Sequence, residues 1–580
     1  MSPGELASQG VSPPAEECPQ GRIRDIFVDN HSIFDPVAMP QSPGVRWAYS
    51  LANGIHIRTR REFIENQLLF RVGDCFDPER VRESARILRE FRFLASVDAY
   101  PVPQSDGSQH VVVDTRDDWT TKLSVGVRVE DGLRFEGLSM VEENFLGRGA
   151  TVGVFYLDRE AQKDVGARFE LPRVRGSGWD LEASGSQTRV GSAFSQSVIH
   201  PFRGELGRFA FRQKSRVRTD LFAWVMPEGV GPTRLVVPLE TGRIEATAAG
   251  RFGVPGHLLL LGGGVSSEWV LPSPAGEVEA VQGLDFSERS PAPPEAAATL
   301  SSQLNRRRAT RLNLLTGIRS IHFEERRRMD VLGGLQDVAV GREILLTLGQ
   351  QIGAQKPADT FARADVFGGF SRPFTIGQLF LSLEGRALRE TDGAAIRDGI
   401  GEGHLFIYRL LPGQWPQTLL FRLAAQRGWN LESPYQITLG GPDGVRGYGE
   451  TEWPGAGRAV ASLEDRVSLP GPFPELLDLG FTLFADAGRT IAGEVPFGQD
   501  SGWRGTVGLG LRAGFPAGSS GVIRADLAFP IDSDGRGSPV FRVHAQEWLG
   551  VLGRFSSPAV ERARRSGISA EFIGAGRGRP

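Results

Sequence analysis

The sequence predicts a mainly β chain in which a large antiparallel barrel follows one small α+β domain. Three observations point there. From Trp119 almost to the end, apolar residues alternate with polar or small ones at a period of two. No stretch of about 18 uncharged apolar residues is available for a transmembrane helix. Before Trp119 the order reads strand, helix, helix, strand, strand. The length of 580 residues exceeds one ordinary compact domain, and a barrel plus a small domain uses it economically. The same alternation also suits a water-soluble sandwich, so a soluble β-rich binding protein stands as an alternative.

Residues 1–20 are rich in Pro, Ser and Glu and are expected to be a disordered tail. They show neither a basic n-region nor an apolar h-region, so no signal peptide is visible in them. Cys18 and Cys75 are the only cysteines, and their spacing fits no zinc or CxxC motif. Either they form one disulfide in an oxidising compartment or they are two unpaired thiols.

Ile23 to Val28 reads as a strand, followed by an irregular segment through Pro36, Pro40 and Pro43. Thr59 and Glu62 match a capping box that opens a helix, with Phe63, Ile64 and Leu68 on its apolar face and Gly73 ending it. A second helix opens at Asp77 with Pro78 in its first turn, and Val81, Ala85 and Leu88 line one face. Strands over Ser96–Val102 and His110–Thr115 follow, joined by a hairpin turn at Asp106-Gly107.

In the alternating region, Leu123, Val125, Val127 and Val129 share one face. Further strand-like segments are Thr151–Asp158, Leu221–Met226, Arg342–Leu348 and Leu419–Gln426, and Pro272 to Pro294 reads as a long external loop. Five strands close the chain: Arg458–Leu469, Asp478–Thr490, Arg504–Phe515, Val522–Ile531 and Val540–Leu549. In the fourth, Ile523, Ala525, Leu527 and Phe529 would face outward, with Arg524 and Asp526 inward. The runs at 306–308 and 325–330 (ERRRMD) read as solvated strand ends or loops, and GLGLRAG at 508–514 as a strand whose small residues ease curvature.

Between these groups lies Leu439 to Tyr448, LGGPDGVRGY. Its glycines permit a loop that folds back on itself and carries Arg446 inward. FADAG, Phe484 to Gly488, follows about forty residues later, and there Asp486 could receive that charge, with Glu464 of ASLEDR as a second acceptor. Net charge −3 lacks the basic excess of a nucleic-acid binder. The eight histidines are scattered, and no HExxH, GxSxG or P-loop pattern occurs, so neither an enzyme nor a cofactor is expected.

The two motifs, in this order, resemble the bacterial surface antigen family of outer-membrane assembly and translocation barrels, the BamA/TamA kind. LLFRVGDCFDPERVRES, Leu68 to Ser84, resembles the helix-helix junction of a POTRA domain, and ENFLGRG, Glu143 to Gly149, resembles the family's early periplasmic turn. The resemblance implies a POTRA-like periplasmic domain at 21–118, a 16-stranded transmembrane antiparallel β-barrel at 119–550 and a C-terminal extension at 551–580. It makes the Arg446 loop the sixth external loop. Gly444, Val445, Arg446, Gly447 and Tyr448 become a lumen-loop motif, Asp486 and Glu464 its latch partners, and Phe484 and Gly488 part of the strand motif. Trp548 or Phe555 would supply the terminal aromatic of the last strand. The implied function is assembly or translocation of client outer-membrane or secreted polypeptides. Outer-membrane lipid, lipopolysaccharide and accessory periplasmic or lipoprotein subunits are the other implied partners. A passive pore or structural surface antigen without a client is the alternative.

Overall fold

A computed structural model describes residues 18–544 apart from 35–42, 131, 160, 230, 284, 354–357, 391–392, 442–443, 450, 471–475, 520 and 532–538. The expected tail before residue 18, the terminal aromatic and the extension at 551–580 lie outside the described residues.

The small N-terminal domain contains β1 (Ile23–His31), α1 (Pro43–Ile55), α2 (Arg61–Gln67), α3 (Pro78–Arg89), β2 (Leu94–Pro103) and β3 (Gln109–Asp117). The sheet order is β1-β3-β2, with β1 parallel and β2 antiparallel to the central β3. Ile23, Phe63, Ile64, Leu68, Val81, Leu88, Val111 and Val113 form its buried core. Cys18 and Cys75 are joined as a disulfide, so the chain is already ordered at residue 18.

Three local expectations change. The proline-rich segment holds a 13-residue helix, α1, because Pro43 sits in its first turn, where a missing N–H costs nothing. The capping box does not form: α2 starts after Arg60, and Thr59 Oγ1 donates instead to Asp117 Oδ1 at 2.8 Å. Gly73 lies in a separate turn at φ +93°, six residues past the last helical residue. The Asp77 cap and the Asp106-Gly107 hairpin are where the sequence puts them, with Asp77 Oδ1 accepting from Glu79 N.

The rest is a closed antiparallel barrel. Its first strands are β4 (Thr121–Glu130), β5 (Gly132–Phe145), β6 (Ala150–Arg159), β7 (Gln162–Leu171), β8 (Asp180–Thr188), β9 (Ser192–His200), β10 (Phe209–Val225), β11 (Arg234–Val254) and β12 (His257–Pro272). Two three-residue strands, β13 (Glu279–Val281) and β14 (Arg289–Pro291), form a hairpin whose first strand pairs with the start of β11, beyond the reach of β12, while β12 pairs directly with β15 (Arg307–Arg327). Then come β16 (Leu335–Ile352), β17 (Asp359–Arg372), β18 (Thr375–Glu390), β19 (Gly393–Leu411), β20 (Gln417–Trp429), β21 (Gly457–Leu469), β22 (Asp478–Ile491), β23 (Arg504–Gly514), β24 (Ile523–Pro530) and β25 (Val540–His544).

The wall therefore has 20 strands where the sequence reading gives 16. The physical reason is the shortness of many hairpins, such as Arg159 to Gln162, Val254 to His257 and Arg372 to Thr375, which leave room for four more strands. The Arg446 loop is consequently the eighth on its end of the barrel, not the sixth. Among the described residues, β25 closes against β4 through Phe541–Val129, Arg542–Arg128 and Val543–Val127.

The alternation places Leu312, Leu314, Leu346, Leu348, Leu381, Leu383, Leu463, Leu483, Leu509 and Leu511 on the exposed outer face. Arg311, Glu343, Arg386, Glu464 and Asp486 are buried in the lumen. An apolar belt of that extent needs an apolar solvent. The closed wall also removes the sandwich as the source of the alternation. Trp179, Phe209, Phe252, Phe374 and Trp415 are exposed at the end of the barrel that carries the small domain, here the near end.

The small domain is docked there. Arg89 of α3 pairs with Asp337 at 2.8 Å and with Glu325. Asn144 of the ENFLGRG turn donates to Thr59 Oγ1 at 2.8 Å, and Arg60 N donates to Gly147 O. Ser519 Oγ donates to Asp118 Oδ2 at 2.7 Å. These bonds come from turns on opposite sides of the barrel mouth.

Candidate functional site

The 430–456 connection leaves β20 at the far end and folds into the lumen. Ile437 and Gly455 exchange two backbone hydrogen bonds, and Leu439 O accepts from Val445 N, so the loop carries its own ladder. Leu439, Val445 and Tyr448 are buried with Val460 of β21. Gly447 takes φ +92°, a conformation an L side chain rarely adopts, and this turns the Arg446 side chain toward the wall.

Arg446 meets both acceptors named from the sequence. Its Nε and Nη2 donate to Asp486 Oδ2 and Oδ1 at 2.7 and 2.6 Å, and Nη1 donates to Glu464 Oε1 at 2.6 Å. The planar guanidinium fork matches the carboxylate of Asp486 in bidentate fashion. Phe484 lies beneath it, with the guanidinium carbon 3.6 Å from the ring centroid, which adds a cation–π contact. Each residue of the strand motif thus has a task. Phe484 is the platform and Asp486 the acceptor. Gly488 leaves room for the loop, since a Cβ there would overlap Val445 Cγ2. Gly508, in the GLGLRAG strand, similarly leaves space for the Phe484 ring, a packing reason more specific than curvature.

Several partners were not named from the sequence. Arg542 of the last described strand donates to Tyr448 O at 2.9 Å and Gly441 O at 3.3 Å, and Arg458 donates to Thr438 O and Gly440 O. Tyr448 Oη donates to Gly505 O at 3.1 Å. The loop is therefore bonded to β21, β22, β23 and β25.

Glu464 is shared further. Arg466 Nε donates to its Oε2 at 2.8 Å, and Arg524 Nη2 donates to Oε1 at 3.1 Å while Arg524 Nε reaches Asp526 at 2.7 Å. Arg466 Nη1 continues to Asp330 Oδ1 at 3.0 Å and Met329 O at 2.7 Å. Tyr408 Oη donates to Asp330 Oδ1 at 2.9 Å, and Arg512 donates to Asp330 O. Arg446, Arg466, Arg512 and Arg524 thus face Asp330, Glu464, Asp486 and Asp526, and the cluster is close to neutral.

Asp330 belongs to ERRRMD, read above as a solvated end. It is buried instead, because the near-end turn 328–334 bends into the lumen and seats Met329, Val331 and Leu332 among the wall residues. The signal was legible: MDVL is an apolar tetrapeptide broken by one carboxylate inside an otherwise charged turn. Arg307 of the 306–308 run is likewise mostly buried, pairing with Asp398 at 2.7 Å and Glu268 at 2.9 Å. The 273–306 connection, which contains most of the segment expected as an external loop at 272–294, lies at the far end and is packed: Val278, Ala280 and Leu300 are buried against Trp224 and Leu235, and Gln303 Oε1 accepts from Tyr435 N of the Arg446 loop.

The arrangement can hold a loop and a turn inside a barrel. Among the described residues, no group of three or more His, Cys, Asp or Glu side chains is placed to hold a metal ion.

The same region carries the family signal. Residues 422–544 match the Omp85 superfamily domain. Among solved structures, BamA from Haemophilus ducreyi lacking POTRA domains 1–3 is 13% identical, with a TM-score of 0.37 over 91% of this chain and 84% of that one. CdiB from Escherichia coli is 10% identical, with a TM-score of 0.45 over 91% and 76%. CdiB from Acinetobacter baumannii is 12% identical, with a TM-score of 0.40 over 90% and 74%. No curated protein matches the chain. The segment that holds the inward loop, its acceptors and the closing strands is thus the part of the chain that is similar to the Omp85 superfamily domain.

Proposed function

We propose that this protein assembles client polypeptides into the outer membrane or passes them across it. The near end then faces the periplasm, and the small domain acts as a POTRA that receives the client. The observation that carries the reading is the Arg446 loop, held inside the barrel by Asp486 and Glu464 and bonded through its backbone to Arg542 of the strand that closes against β4. Such a loop fixes the closing strand from within, where a client strand would have to be admitted.

In the small domain the central β3 leaves β1 and β2 as the sheet's edges. β1 runs nine residues without proline, whereas Pro101 and Pro103 remove donors from β2. β1 therefore offers the fuller row of main-chain groups for an extended client. Clients, lipopolysaccharide at the outer leaflet and accessory periplasmic or lipoprotein subunits are the partners this reading calls for, and no enzymatic step or cofactor enters it. Entry of the 430–456 loop and the 328–334 turn into the lumen speaks against a passive open pore.

Conditional depletion in the native cell, followed by quantitative proteomics of the isolated outer membrane, tests the reading. Loss of many unrelated barrels means a general assembly factor, and loss of one secreted or surface protein means a dedicated translocator. An outer membrane missing only this protein would refute both.

A further inference from the structure

Helix α1 has two faces. Tyr49 and Asn53, four residues apart, turn inward: Asn53 exchanges hydrogen bonds with Phe34 N and O, and the Tyr49 ring stands 4.2 Å from that of Phe34. Trp47 and Leu51, also four apart, lie on the opposite side of the helix at about 100° per residue. They are 67% and 47% exposed. A Trp and a Leu turned away from the protein on one helix have no partner among the described residues.

The place where α1 is attached says what covers that face. Phe34 is buried, and its ring also meets Phe515 at 6.4 Å, which in turn meets Trp119 at 6.3 Å. Phe515 continues the register of Val507, Leu509 and Leu511, the outward residues of β23, and is itself 42% exposed. Trp119, half-buried against Phe34 and Tyr49, continues the register of Leu123 and Val125 of β4. The aromatic chain Trp119, Phe515, Phe34, Tyr49 therefore hangs α1 on the outer side of the wall, beyond the ends of β23 and β4, which flank β24 and β25. That level matches the ring of exposed Trp179, Phe209, Phe252, Phe374 and Trp415, the near-end aromatic girdle.

We propose that α1 is an interfacial helix whose Trp47–Leu51 face lies in the phospholipid of the near leaflet, at the foot of the β25–β4 seam. The apolar belt continues from the wall through Phe515 onto the helix, with Arg46 and Ser50 exposed beside it for the headgroup layer. This rests on the membrane reading given above. A helix held there displaces lipid beside the seam and ties the small domain to the bilayer as well as to the barrel.

The full chain with Leu51→Cys, carrying an environment-sensitive fluorophore and reconstituted in phosphatidylethanolamine/phosphatidylglycerol vesicles, tests it. Labels at Leu511→Cys in the outward belt and Asp106→Cys in the distal hairpin are the references. Expected is at least twofold quenching of the position-51 label by shallow nitroxide lipids, with protection from aqueous iodide. Quenching by iodide as at position 106 would overturn the proposal, and protection from both quenchers would overturn it in favour of a protein partner or second copy. If the position-511 label also escapes nitroxide lipids, the membrane reading itself fails. If only position 51 escapes, the barrel stands and α1 is not interfacial.

Discussion

At the scale of single residues, Arg446 shows why one charge needs three kinds of support. It is held by a bidentate carboxylate, a second carboxylate and an aromatic face. Lysine keeps the charge but loses the fork and the stacked plane. Arg446→Ala should release the 440–449 segment to external protease, since unpairing a buried ion costs about 3–5 kcal/mol, and Arg446→Lys, without the fork that spans both carboxylates, should release much of it as well. Intact protection in the lysine variant would show that charge alone holds the loop. Gly488 offers a packing counterpart. Gly488→Ala forces a Cβ into Val445 and should cost about 1–3 kcal/mol, read as a lower urea midpoint. Adding Val445→Ala should recover most of that loss, because it removes the overlapping methyl group.

At the scale of elements, the near-end turn 328–334 and the far-end loop meet through Arg466, which binds Asp330 on one side and Glu464 on the other. Asp330→Ala takes from the Tyr408 hydroxyl its acceptor and from Arg466 the carboxylate that ties it to the turn, leaving Arg466 its bonds to Glu464 and Met329 O. It should raise single-channel conductance in planar bilayers by loosening the turn while leaving the Arg446 loop protease-resistant. Unchanged conductance would mean the turn is held by Met329, Val331 and Leu332 alone. The five closing strands were legible from sequence because each is a period-two run bounded by turn residues, and the loop was legible because glycines and one arginine sit between two such runs. The strand count was not, since two-residue hairpins merge neighbouring runs and the 273–306 excursion conceals one direct pairing. Helix α1 was hidden by the prolines before it, of which Pro43 belongs to its first turn. Asp330 and Thr59 were misread for a shared reason. A local pattern proposes one partner, and a hydrogen bond from a distant element supplies another.

For the whole molecule, the small domain and barrel are joined by charge at the near end. Glu205, in the turn after β9, is pushed up by burial, but the Arg319 guanidinium and other nearby arginines outweigh this and hold its pKa below the ordinary carboxylate value. Its backbone N–H donates to Glu83 of α3, so the same turn anchors the domain. Arg86 of α3 is the last and smallest of those causes, so undocking removes only its share of the lowering; that share stabilises the docked state fully above the undocked pKa and is lost as pH falls toward the docked one. Hydrogen exchange of α3 should therefore quicken as the pH is lowered through this window and stay constant above it. Exchange that is flat down to pH 3 would place the docking energy elsewhere.

The 20-strand wall has a further consequence. Barrel diameter grows roughly in proportion to strand number, so this wall is about a quarter wider than one of 16. No one inward loop can fill that width, and the chain uses three separate pieces: the Arg446 loop, the 273–306 excursion that meets it at Gln303, and the 328–334 turn from the other end. Closure against large solutes is thus redundant, even though loosening one piece lets more ions through. A cell carrying a deletion of any one piece would keep most of its resistance to large antibiotics and detergents. Only combined deletions would make the envelope leak, so the loop beside the seam is free to move during a client's passage without breaching the barrier.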